Sequence, residues 1–171
     1  SIETSTFPSI YKLSQVIPLK KNPSLSDLEC SSYRPVNLLP IPGNIVEKAV
    51  FNQLVKYLEE NQLINPNHHG GRKGHSTTTA LVQMYNTWIE QMEEGQMVGI
   101  MMIDQSAAFD LCDHVLLAKQ LRLLGVQESS ACWMESYMLN RSQSTLVDGY
   151  LSSALLLPPC SVIQGLWTTI L

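Results

Sequence analysis

The run Val98-Gly99-Ile100-Met101-Met102-Ile103 is apolar throughout and stops abruptly at a carboxylate, Asp104. A short apolar run of this kind, with β-branched residues and a glycine just before it at Gly95, predicts a buried strand over Met97–Ile103. In α/β sheets ligands gather outside the carboxyl ends of strands, so an acid at that point sits where a rigid sheet edge can hold a metal-binding oxygen. The competing reading is an aspartate that caps a following helix. Phe109, five residues further on, is the second notable residue of the stretch.

Size and composition bound the remaining possibilities. A chain of 171 residues with 44% hydrophobic content can bury a core, as one globular domain or as part of a larger one. Its net charge of -4 argues against holding nucleic acid by bulk electrostatics alone. The charge is uneven: residues 1–75 sum to +2 and residues 76–171 to -6. Such a division suits phosphate on one side and divalent cations on the other. Cys30, Cys112, Cys132 and Cys160 lack the Cys-x-x-Cys spacing of a structural zinc site and are expected to be reduced thiols. No stretch is long and apolar enough to read as a membrane span, and the chain is expected to be soluble and intracellular. The missing initiator Met and the apolar closing residues suggest a piece of something longer.

Periodicity and punctuation give the elements. An edge strand or extended arm with Pro18 inside it is expected over Tyr11–Leu19, then a polar loop through Ser32 and repeated breaks at Pro35, Pro40 and Pro42. Val46, Ala49, Val50, Leu54 and Leu58 recur at helical spacing and predict a helix from about Ile45 to Glu60. Three glycines and a proline make residues 65–75 a loop. Ser76 or Thr77 then caps a helix with Leu81, Met84, Tyr85, Trp88 and Met92 on one face, ending near Gly95. Asp113 starts a helix that Gly125 stops, and another is expected over Glu128–Leu139. Gln143–Val147 and Leu151–Leu157 flank Asp148-Gly149 as a β-hairpin.

Among residues able to carry chemistry, Gly70-Gly71-Arg72-Lys73-Gly74 places free backbone amides and two cations just before a helix N-terminus. The arrangement suits phosphate as well as it suits an ordinary solvated turn, and it lacks the Gly-Lys-Ser/Thr order of a Walker loop. His68, His69 and His75 cluster there without a thiolate or carboxylate at ligand spacing, so exposed loop histidines are expected. His114 is expected to assist the start of its helix. Glu59, Glu60, Glu93 and Glu94 read as solvated helix-end acids, and Asp110 and Asp113 as caps. The methionines at 97, 101 and 102 read as core packing.

Together these segments resemble the reverse transcriptase domain of non-long-terminal-repeat (LINE-like) retrotransposons, over nearly the whole chain and in order. Val16-Ile17-Pro18-Leu19-Lys20-Lys21 and Tyr33-Arg34-Pro35-Val36-Asn37-Leu38-Leu39 are similar to its opening fingers blocks, and Ile45-Val46-Glu47-Lys48 to its first fingers helix. His69 to Leu81 resembles its glycine–arginine–lysine block, and Ile103-Asp104-Gln105-Ser106-Ala107-Ala108-Phe109-Asp110 its motif A. The resemblance implies an α/β (α+β) right-hand polymerase, with fingers over 1–95 and a partial palm over 96–171 on an incomplete mixed or antiparallel sheet with packed helices. It implies DNA synthesis from dNTPs on an RNA template and DNA primer by two-metal transfer, with Mg²⁺ as cofactor. Asp104 would be the catalytic metal ligand, Arg72, with Lys73 as the weaker candidate, would clamp the triphosphate because Arg suits bidentate phosphate contact better than Lys, Phe109 would exclude ribonucleotides, and Gln164 would touch the nucleotide.

The departures are specific. The family has Phe where this chain has Gly71 and Pro where it has Ile163, leaving a degenerate motif B, and the acidic pair of motif C is absent. A truncated, inactive chain is the resulting expectation. A non-catalytic nucleic-acid-binding relic is the alternative, and a small phosphate-binding hydrolase using Arg72 and Asp104 is a third reading.

Overall fold

In a computed structural model of the chain, residues 1–104 and 111–160 are described. They form a mixed α/β structure in two compact units. One unit takes 1–46 with 111–160, the other 47–104.

The first unit is built on a mixed open sheet. β1 (Leu13–Lys20) is an inner strand rather than the edge strand or arm expected: it pairs antiparallel with β2 (Tyr33–Leu38) and parallel with β3 (Ser142–Val147). Ser14 and Val16 are its buried positions, the period of two expected when one strand face is covered. β2 overturns the expected loop-and-break reading of this region. Pro35 lies within it, directly opposite Pro18 of β1. A proline is tolerated there because β2 is the outermost strand, where a missing N–H breaks no ladder.

The hairpin forms about the predicted turn. Asp148 and Gly149 have φ of 49° and 82°, the pair of left-handed residues that a two-residue turn needs to match strand twist. The return arm is divided into β4 (Tyr150–Leu151) and β5 (Leu155–Leu156), both antiparallel to β3. Leu146 pairs with Leu151 but Gln143 with Leu155, so the return arm carries one extra residue, a bulge. The Ser152 hydroxyl accepts from the Thr145 amide at 2.9 Å, and the Ser152 amide donates to the Thr145 carbonyl, bridging the break.

α3 (His114–Leu123) and α4 (Glu128–Met138) complete this unit. Asp113 caps α3 as expected, its carboxylate accepting from the amides of Val115 and Leu116 at 2.7 and 3.2 Å. Arg122 ties the two helices together with a bidentate grip on Glu128 and a 3.1 Å bond to Glu135. These carboxylates hold the guanidinium protonated, and Arg122 in turn lowers the Glu128 pKa. The core sits on α4. Phe7 meets Trp133 and Tyr137 edge-on at 5.5 and 5.0 Å, and the Arg141 guanidinium lies 4.1 Å from the Tyr137 ring centroid. Lys12 reaches the end of α4 and donates to the carbonyls of Ser136 and Leu139 at 2.6 and 3.0 Å. Burial first, and the Arg141 charge second, push its ammonium below the ordinary lysine pKa.

α1 (Ile41–Glu60) starts four residues earlier than its apolar spacing predicts. Pro42 falls in the first turn, where no intrahelical N–H partner is lost, and Gly43 is buried where a Cβ would come within 3.2 Å of Tyr11 Cβ. The second unit holds the rest of α1, the loop, α2 (Thr77–Glu93) and the segment up to Asp104. Here the main sequence expectation fails: residues 96–104 form no strand and no pairing partner lies beside them among the described residues. The expected core face of α2 is also uncovered, with Leu81, Met84, Tyr85 and Met92 exposed.

Replacing Lys12 by Met keeps the apolar stem but leaves two helix-terminal carbonyls without their donor. The expected loss is about 1–3 kcal/mol of stability in denaturant unfolding. An unchanged midpoint would show that the contact contributes nothing.

Candidate functional site

The loop after α1 is organised by short-range turn chemistry. The Asn65 side chain accepts from the Asn67 amide at 2.9 Å and its carbonyl from the His68 amide, which fixes the entry. Gly71 and Gly74 have φ of 65° and 77°. Gly71, the departure from the family block, therefore occupies backbone space that a Phe enters only with strain. Exit from the loop is set by a capping box: the Ser76 hydroxyl accepts from the Thr79 amide at 3.2 Å, and the Thr79 hydroxyl accepts from the Ser76 amide at 2.8 Å.

His69 connects the loop to α2. Its Nε2 lies 2.8 Å from Gln83 Oε1, which can only accept, so Nε2 carries a proton and donates. Its Nδ1 lies 2.9 Å from Thr79 Oγ1, and Gln83 is itself oriented by donating to Asn67 Oδ1 at 2.7 Å. The His75 ring packs edge-on against His69 at 5.1 Å. The loop histidines are thus half-buried network members rather than the exposed side chains expected.

Arg72 is likewise partly committed. Its Nε lies 3.4 Å from Glu59 Oε1 and its Nη1 donates to the His68 carbonyl at 3.2 Å, while Nη2 makes no hydrogen bond among the described residues. Glu59, expected to be merely solvated, is its counter-ion. A separation of 13 residues across a loop leaves no periodic signal by which the pair could have been found. Lys73 is exposed, and its ammonium makes no ion pair or hydrogen bond among the described residues. The amides of residues 69–74 also find no acceptor there. One side of the loop therefore offers N–H groups, a free Lys73 and one open guanidinium edge, a combination that attracts anionic oxygen.

Asp104 ends the exposed segment of the same unit, without a hydrogen bond or ion pair among the described residues. Among the described residues no hydrogen bond or ion pair joins it to Arg72 or Lys73. Among the described residues no group of three or more His, Cys, Asp or Glu could hold a metal ion. A single exposed carboxylate does not fit a two-cation centre, so the Mg²⁺ chemistry implied by the resemblance has no built site among the described residues. Phe109 and Gln164 lie outside the described residues. Among the described residues no helix is long and apolar enough to cross a membrane.

Comparison with known proteins places the chain among relatives of the RNA-directed DNA polymerases of mobile elements, over most of its own length. It is 30% identical over 153 residues, 89% of the chain, to the RNA-directed DNA polymerase from mobile element jockey of Drosophila melanogaster. The jockey polymerase of Drosophila funebris is 30% identical over 148 residues, 86% of the chain. A probable RNA-directed DNA polymerase from transposon X-element of Drosophila melanogaster is 28% identical over 117 residues, 68% of the chain. The chain spans only 16% of each jockey protein and 13% of the X-element protein. No family model matches it.

Ser76→Ala removes the acceptor for the Thr79 amide. A loss of about 0.5–2 kcal/mol is expected, with faster amide exchange confined to the first turn of α2. Exchange that stays as slow as in the parent chain would show the cap to be dispensable.

Proposed function

We propose that this chain is a segment of a retroelement reverse transcriptase, comprising a fingers-like region over 1–95 and part of the palm over 96–171. The observation that carries the reading is the similarity to jockey polymerases over 89% of the chain. The loop of residues 69–74 supports it, because its open amides and Lys73 suit the triphosphate of an incoming dNTP. In this reading Lys73 makes the main phosphate contact. Arg72 contributes its free Nη2 while Glu59 holds it in place. That reverses the ranking drawn from the sequence, where Arg72 led. Asp104 is proposed as the palm carboxylate, and Phe109 and Gln164 as the residues facing the sugar and base. RNA template and DNA primer are the proposed macromolecular partners.

Polymer synthesis is not assigned to the 171 residues alone. Asp104 is one carboxylate, and the chain contains no Asp-Asp pair that could serve as a second acidic station. The purified chain is accordingly expected to bind dNTP and primer-template weakly, with affinity falling steeply as salt rises. Lys73→Ala should weaken dNTP binding by about three- to tenfold, in line with the loss of one charge-assisted phosphate contact. Primer extension with Mg²⁺ should not exceed that of an Asp104→Ala control. Extension clearly above the control would overturn the incomplete-site reading, and dNTP binding unaffected by Lys73→Ala would overturn the loop assignment.

A further inference from the structure

Both ends of the loop meet at the Thr79 hydroxyl. Its Oγ1 accepts from the Ser76 amide at 2.8 Å, at the loop exit, and lies 2.9 Å from His69 Nδ1, at the loop entry. Residues 70–75, with Lys73 and the open amides among them, therefore leave and return to one oxygen atom. The hydroxyl has a single proton and two acceptors within reach, Nδ1 and the Ser76 carbonyl, each at 2.9 Å. The carbonyl already accepts from the Ala80 amide at 3.0 Å, whereas Nδ1 has no other donor among the described residues. The proton is best used on Nδ1, which completes the Nε2–H tautomer that Gln83 requires. Thr79 and Gln83 stand four residues apart on one face of α2, so the half-buried ring is bonded to that face at two points.

We infer that His69 is the positioning residue of this loop: bonded to Thr79 and Gln83, its ring holds residues 70–75 closed, so that their amides and Lys73 are presented to phosphate oxygens before a ligand arrives. His69 does not touch the ligand in this assignment, because both ring nitrogens are engaged by α2. Gln83 extends the hold to the loop entry by donating to Asn67 Oδ1 at 2.7 Å, which keeps its own carboxamide turned toward the ring. A loop that is already closed loses less conformational freedom on binding, and the smaller entropy loss appears as affinity. The inference rests on the reading of the loop as a triphosphate site and adds the residue on which the geometry of that site depends.

The experiment measures calorimetric binding of inorganic tripolyphosphate to the full 171-residue chain across a range of salt concentrations, for the parent, Lys73→Ala, His69→Ala and His69→Asn. Lys73→Ala should lower affinity and flatten its salt dependence, because a charge has been removed. His69→Ala should lower affinity about three- to tenfold while the salt dependence of the parent chain is retained. His69→Asn should recover most of that loss, since its carboxamide oxygen accepts from the Thr79 hydroxyl where Nδ1 did. In the parent chain at about pH 8, nitrogen-15 NMR should show His69 with a protonated Nε2 and a bare Nδ1. The inference is overturned if Lys73→Ala weakens binding and His69→Ala does not, or if His69→Ala flattens the salt dependence as loss of a charge contact would. Failure of His69→Asn to rescue, or a ring proton on Nδ1 in place of Nε2, overturns it as well. Binding unaffected by Lys73→Ala removes the loop reading itself, and the inference with it.

Discussion

The end of α4 is the point on which the first unit depends. A helix leaves its last carbonyls without intrahelical donors and carries partial negative charge there. Two cations meet that need, one from far along the chain and one from just beyond the helix: Lys12 donates to Ser136 and Leu139, and Arg141 Nε donates to the Tyr137 carbonyl at 2.6 Å. Lys12 immediately precedes β1 and Arg141 immediately precedes β3, so the same contacts align the two strands that pair in parallel. The Ser142 amide donating to the Lys12 carbonyl at 3.1 Å begins that register. Phe7 and the α4 aromatics then close the cluster with apolar surface.

Local signals were legible where chemistry within a few residues decides the backbone. Asp113 as a cap, Ser76 as a cap, Asp148-Gly149 as a turn, and the extent of α3 between Asp113 and Gly125 all follow from side-chain to backbone bonding or left-handed φ. Non-local pairing was not. β2 escaped because Pro35 reads as a breaker unless the residue is known to lie on an outer strand, and only the register with β1 shows that. The bulge that separates β4 from β5 is likewise a matter of register rather than of residue type.

The candidate site divides along the same line. The loop's glycines and the cap that follows it were readable, and so was the presence of two cations. Which cation is free was not, because that depends on Glu59 reaching back across the loop to Arg72. An arginine held by a carboxylate and a carbonyl is a good hinge for a loop but presents less positive charge to a ligand. The lysine beside it, with no partner among the described residues, presents all of its charge.

The segment before Asp104 shows why composition alone cannot make a strand. Its residues favour extended backbone, but a strand is stabilised by cross-strand pairs and by a covered face, and residues 96–104 have no ladder partner among the described residues. An apolar run left in this state is a surface awaiting cover, since exposed hydrophobic side chains at this density gain roughly 25 cal/mol for each Å² removed from water. In the proposed reading of Asp104 as a metal ligand the same event matters, because pairing of residues 97–103 would fix the position of its carboxylate. Cover for the apolar run and geometry for the acid are therefore one requirement.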